Sequence, residues 1–305
     1  MTPTNFQRPT DEFRENLEWE VLRRHRRNAR VHARRPASSP RLAKAAAAVI
    51  VSATIGATAG FASAQIVQNS ARDSLLAAAR AEAMLAKTRF DIAKAEADDV
   101  SVKVRSGAAD QESLAAASAD LRDMEAARNA AGLNIEEIGA SGQAPRDDLG
   151  APLVAGRDYV KQRILLQLSA TQARLNAAEA TQANAERRLR AGAEDEGVVT
   201  NTRLKVIHVQ GRLSVLAEQL KLRDDFLEHG TPPAQLVQRL EEAQLRADAS
   251  FGQAELNAAR ARLARAEQMR ALGTANDIDL LRAQLAVKEL EVEIQRLAAR
   301  LRTVK

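Results

Sequence analysis

The apolar positions of this chain recur with a period near three and a half residues, and three long stretches share the pattern. After Gly273, apolar residues fall at offsets of 7, 14, 17, 21, 24 and 28, on Leu280, Val287, Leu290, Ile294, Leu297 and Leu301. A seam this narrow buries one helix face against a single partner helix. Counted from Gly192, the same offsets land on Val199, Val206, Val209, Leu213, Leu216 and Leu220. Counted from Gly107, they land on Leu114, Leu121, Met124, Arg128, Ala131 and Ile135, a copy degraded in its second half. The three glycines are spaced by 85 and 81 residues, so the pattern is an internal repeat.

Each copy predicts a helix out, a polar turn at the glycine and a helix back along the same seam. The expected fold class is therefore all-α: three long antiparallel coiled-coil helical hairpins in series, preceded by one transmembrane helix. The hairpins are expected at 72–138, 157–228 and 234–305. Gly139, Gly142, Pro145, Gly150, Pro152 and Gly156 punctuate a linker at 139–156. His229-Gly230-Thr231-Pro232-Pro233 forms the second break, with glycine placed to end one helix and proline to open the next.

Ahead of the first hairpin, residues 45–71 contain no charged side chain. A run of this length spans the roughly 20 residues that a bilayer requires. Charge then sets its direction. Residues 1–44 carry 11 Lys/Arg against five Asp/Glu, while the rest of the chain is nearly balanced at 34 against 35. Within that segment Asp11 to Arg35 reads as an amphipathic helix, and Arg23, Arg24, Arg26, Arg27, Arg34 and Arg35 are placed to lie against anionic headgroups. The expectation is a single-pass protein of a bacterial inner membrane, with a cytoplasmic basic tail and a periplasmic bulk. A second reading stays open, in which the run is a signal peptide cleaved after Ala62-Ser63-Ala64. The long, partly acidic segment before the run favours the anchor, because signal peptides begin short and basic.

Composition narrows the functional classes. Aromatic residues make up only 3% and cysteine is absent, which excludes disulfides, thiolate metal sites and cysteine nucleophiles. His25, His32, His208 and His229 have no partner at metal or general-base spacing, and His208 sits one residue before a seam position. No constellation assembles into nucleophile, base and oxyanion hole, and no small-molecule site is visible, so the reading is of a protein that is not an enzyme and carries no cofactor. The arginine cluster lacks the stacking aromatics or recognised fold of a nucleic-acid binder.

At the third turn the wording is recognisable. Gly273, Asp279-Leu280-Leu281, Ala283-Gln284, Val287, Leu290-Glu291 and Ile294 resemble the repeat of TolC-type outer-membrane efflux proteins. The resemblance implies that the glycine turn is the periplasmic tip of a hairpin in a helical tunnel, with Asp279 near the tip constriction. The residues alone also allow Asp277 or Asp279 to be a plain helix cap. The likeness extends over the helical part, roughly residues 72–301, and is specific only in the last copy. The linkers are too short to supply the strands of that family's β-barrel. The expected partners are the inner membrane and either further copies of the chain or other envelope hairpins. The expected work is assembly or docking in efflux or export, the rival being a structural or regulatory scaffold that links the periplasm to the tail.

Overall fold

The computed structural model describes residues 57–274 and 276–304, with side chains from Ser70 onward. The basic tail, with Arg23, Arg24, Arg26, Arg27, Arg34 and Arg35, lies outside the described residues, as do residues 45–56 of the uncharged run and the side chains of most of its remainder. None of the described helices is long and apolar enough to cross a membrane. Residues 63–305 form one compact unit.

The described residues are all-helical. In chain order the helices are α1 (Ala57–Arg105), α2 (Gln111–Ser141), α3 (Tyr159–Arg190), α4 (Glu196–His229), α5 (Pro233–Ala271) and α6 (Asp277–Val304). Helix α1 starts earlier than the Arg72 start read from the first arm, because nothing separates the uncharged run from that arm. Alanine-rich sequence continues a helix as readily as it enters one.

Consecutive helices pack on each other, and along each pair the residue numbers rise on one helix as they fall on the other. Between α1 and α2, Arg72 donates to the Gly139 carbonyl and the Arg128 guanidinium lies 4.0 Å from the centre of the Phe90 ring. Between α2 and α3, Arg163 pairs with Glu137, Arg174 with Asp123 and Asn184 with Glu112. Lys161–Asp224 and Arg203–Glu186 join α3 to α4, Arg239–Asp225 and Arg265–Glu196 join α4 to α5, and Arg300–Glu241 and Arg260–Glu291 join α5 to α6. The packing therefore does not stop at the hairpins: α2 meets α3 and α4 meets α5 as α3 meets α4 and α5 meets α6.

The interior is a series of thin seams. Leu175, Ala178 and Val206 form a cluster with Val209 and Leu213, and Leu256, Ala259 and Val287 form another with Leu263, Leu290 and Ile294. Two glycines allow close approach where the seams need it. A Cβ at Gly211 would lie 3.4 Å from the Cβ of Ala247, and one at Gly252 would lie 3.5 Å from Cγ1 of Ile294.

Candidate functional site

The three turns at Gly107, Gly192 and Gly273 share the same pair of backbone hydrogen bonds. Each glycine takes a left-handed conformation, with φ of 75°, 73° and 71°, at no steric penalty. Its N–H donates to the carbonyl three residues back: Gly107 to Val104, Gly192 to Leu189 and Gly273 to Arg270. The next residue donates five back: Ala108 to Lys103, Ala193 to Arg188 and Thr274 to Met269. This bond pair defines the Schellman ending of a helix and satisfies carbonyls that the last turn leaves open.

Three residues after each glycine stands the cap of the returning helix. Asp110 accepts from the Ser113 N–H at 2.8 Å, Asp195 accepts from the Gly197 N–H, and Asn276 accepts from the Asp279 N–H at 2.8 Å. The cap of α6 is thus Asn276 and not Asp277 or Asp279. Asp277 pairs with Arg270 across the turn at 2.9 Å, and Asp279 lies exposed, 3.7 Å from Arg282. An Ncap side chain reaches N–H groups two or three positions ahead, so the residue just before the helix does this work and one inside it does not. The shared sequence signal is Gly-x-x-Asp/Asn, visible in all three copies. The Ser113 N–H and hydroxyl hold the Asp110 carboxyl below its usual range.

All three tips lie at one end of the unit. Asn184 near the end of α3 reaches Glu112 at the start of α2, and Arg265 near the end of α5 reaches Glu196 at the start of α4. At the α5–α6 seam, Leu280 and Val287 are buried and Leu290 and Ile294 are packed on the Val287 cluster, while Leu297 faces Gly252 and Leu301 is half-buried. The degraded position Arg128 has a local reason: its guanidinium covers the Phe90 ring, an arrangement worth about 0.5–1 kcal/mol at an exposed site. His208 packs edge-on against Phe251 of α5, with ring centroids 5.2 Å apart.

At the opposite end two arginines hold the 143–158 segment in place. Arg223 is fully buried; its Nε and Nη2 fork onto Asp158 at 2.9–3.2 Å, and its Nη1 donates to the carbonyls of Leu149 and Ala151 at 2.7 and 2.6 Å. Asp158 also caps α3 by accepting from the Lys161 N–H at 2.9 Å. Arg163 bonds Glu137 at 2.7 Å, Asn134 at 3.1 Å, Asp147 at 2.8 Å and the Arg146 carbonyl. The other Glu137 oxygen accepts from the Arg146 N–H at 3.2 Å. Every charge is met by several partners, the condition under which burial of an ion pair is tolerated. Sequence reasoning missed this clamp and treated the segment as a plain linker. A cavity of about 550 Å³ lies beside it, between the linker and the start of α5, with Arg146, Asp148, Pro152, Gln219 and Leu236 among its walls. Among the described residues no group of three or more His, Cys, Asp or Glu side chains is placed to hold a metal ion.

No protein-family model matches the chain, and no curated protein or solved structure matches it significantly. The likeness to the TolC-type repeat rests on the residues of the third turn alone.

Proposed function

We propose that this chain is a membrane-anchored extracytoplasmic protein made of three antiparallel coiled-coil hairpins, α1–α2, α3–α4 and α5–α6. Its work is assembly and docking in envelope efflux or export. The observation that carries the reading is the threefold repetition of one tip, glycine ending, two-residue spacer and Asp/Asn cap, at a single end of the unit. A catalytic or ligand-binding fold has no need to build the same exposed turn three times, whereas a docking surface uses it to present matched helix ends. The TolC-type wording at the third tip supports the envelope setting, and the charge-free run behind a basic segment supports the anchor.

The test is protease accessibility of the full chain in spheroplasts. Cleavage of the hairpins from the periplasmic side, with a tag on the basic tail protected, is the expected result. Hairpins protected until the inner membrane is lysed would overturn the placement.

A second reading, a scaffold that relays a signal from the array to the tail, is favoured by one observation. Helix α1 runs unbroken from Ala57 to Arg105, so part of the uncharged run and the first arm of the array are one rod. An arm of about 34 residues extends about 50 Å at 1.5 Å per residue, long enough to carry displacement between the two ends.

A further inference from the structure

Among the described residues, the two edge helices each keep one outward face without a partner. On α6, Ile278, Leu281, Leu285 and Val292 are all exposed large apolar residues, with Leu281 62% and Leu285 57% accessible. They fall at heptad spacing on a face distinct from the buried stripe of Leu280 and Val287. On α1, Leu85, Ile92 and Val102 are exposed in the same way, off the seam of Ala79, Ala93 and Ala97. Helices with two heptad stripes pack on two neighbours, and among the described residues α6 and α1 pack on α5 and α2 alone.

Charge selects the missing neighbour. Flanking the outward stripe of α1, read toward the tips, stand Glu82, Arg89 and Glu96, each seven residues from the next. Flanking the outward stripe of α6, again read toward the tips, stand Arg296, Glu289 and Arg282, also at sevens. All six are exposed. Five of them enter no ion pair among the described residues, and Arg282 has only the 3.7 Å contact to Asp279. The two series are opposite in sign at every step.

We infer that the outward face of α6 docks on the outward face of α1 in a second copy of the chain, with the tips of both copies at the same end. The directions agree, since α6 runs from the tips and α1 toward them, as in every neighbouring pair inside the chain. The register agrees as well. Setting Val102 beside Ile278 near the tips places Ala95 beside Leu285 and Thr88 beside Val292, and in that register Glu82, Arg89 and Glu96 flank Arg296, Glu289 and Arg282. In an opposed helix pair such flanking charges set partner and orientation. The contact is heterologous, so each copy leaves one α1 face and one α6 face for the next. The inference rests on the assembly reading above, but its readout is a contact between copies and is independent of membrane topology.

The absence of cysteine in the chain makes the test direct. Full-length Thr88→Cys and Val292→Cys variants, purified in mild detergent, are mixed and oxidised. A cross-linked dimer in the mixture, with neither variant cross-linking alone, is the expected result. Adding Glu82→Arg, Arg89→Glu and Glu96→Arg to the first variant should cut the yield at least tenfold, and adding Arg282→Glu, Glu289→Arg and Arg296→Glu to the second should restore it, with helicity by circular dichroism unchanged throughout. A dimer formed by Val292→Cys alone would assign α6 to pair with itself and overturn the proposal. So would no cross-link in the mixture, or a cross-link insensitive to the charge reversals.

Discussion

At the scale of single residues, the tips are where sequence and chemistry meet most closely. A glycine that must turn left and an Asp or Asn that must cap leave little freedom, so the spacing Gly-x-x-Asp/Asn recurs three times. Asp110 shows the electrostatic side of this. Its folded carboxyl titrates below the usual aspartate range because the Ser113 N–H and hydroxyl favour the charged form. The cap is therefore fully effective above the ordinary aspartate pKa and is lost as pH falls through the lowered folded value. Thermal melts of wild type and Asp110→Asn from neutral to strongly acid pH test this: the gap between them should close below the usual aspartate range. A gap constant with pH would remove the charged cap from the account. Burial acts in the opposite sense at Asp123, whose carboxyl is pushed up despite its bond to Arg174.

At the scale of elements, the helices were legible because burial against one partner imposes a seven-residue period that few other structures share. The cap of α6 lies one to three residues before the aspartates that the sequence offers, since three neighbouring polar residues, Asn276, Asp277 and Asp279, compete for the role and only backbone geometry decides. The start of α1 was hidden because an uncharged alanine-rich run satisfies the helix and the bilayer reading alike. The arginine clamp could not be read at all. Arg223 lies in a polar stretch like any solvated helix end, and its partners at Leu149, Ala151 and Asp158 stand 65–74 residues away. Its energetic weight is testable. Arg223→Met removes the ion-pair partner of Asp158 and the donor to the Leu149 and Ala151 carbonyls, and should cost about 3–5 kcal/mol in chemical denaturation. The exposed Arg80→Met, which breaks no ion pair, should stay within about 0.5 kcal/mol. Equal effects of the two would show that the clamp contributes no more than a surface charge.

At the scale of the whole array, residues 63–305 have little interior, and no single core supplies the stability. Each helix instead borrows from its neighbours, so the edges α1 and α6 are the least covered and carry much of the exposed apolar surface. In such quasi-one-dimensional packing, adding a neighbour at an edge stabilises everything behind it. That makes self-assembly and stability the same question for this chain. The claim on which the rest depends is that successive helices fold back on one another and gather the tips at one end. Distances between paired spin labels test it most directly: Ala193→Cys with Thr274→Cys joins two tips, and Thr274→Cys with Thr231→Cys joins a tip to the far end of α5. The account predicts a tip-to-tip distance well below the tip-to-base distance, the latter about 60 Å for a helix the length of α5 at 1.5 Å per residue. A tip-to-tip distance as long as tip-to-base would contradict it.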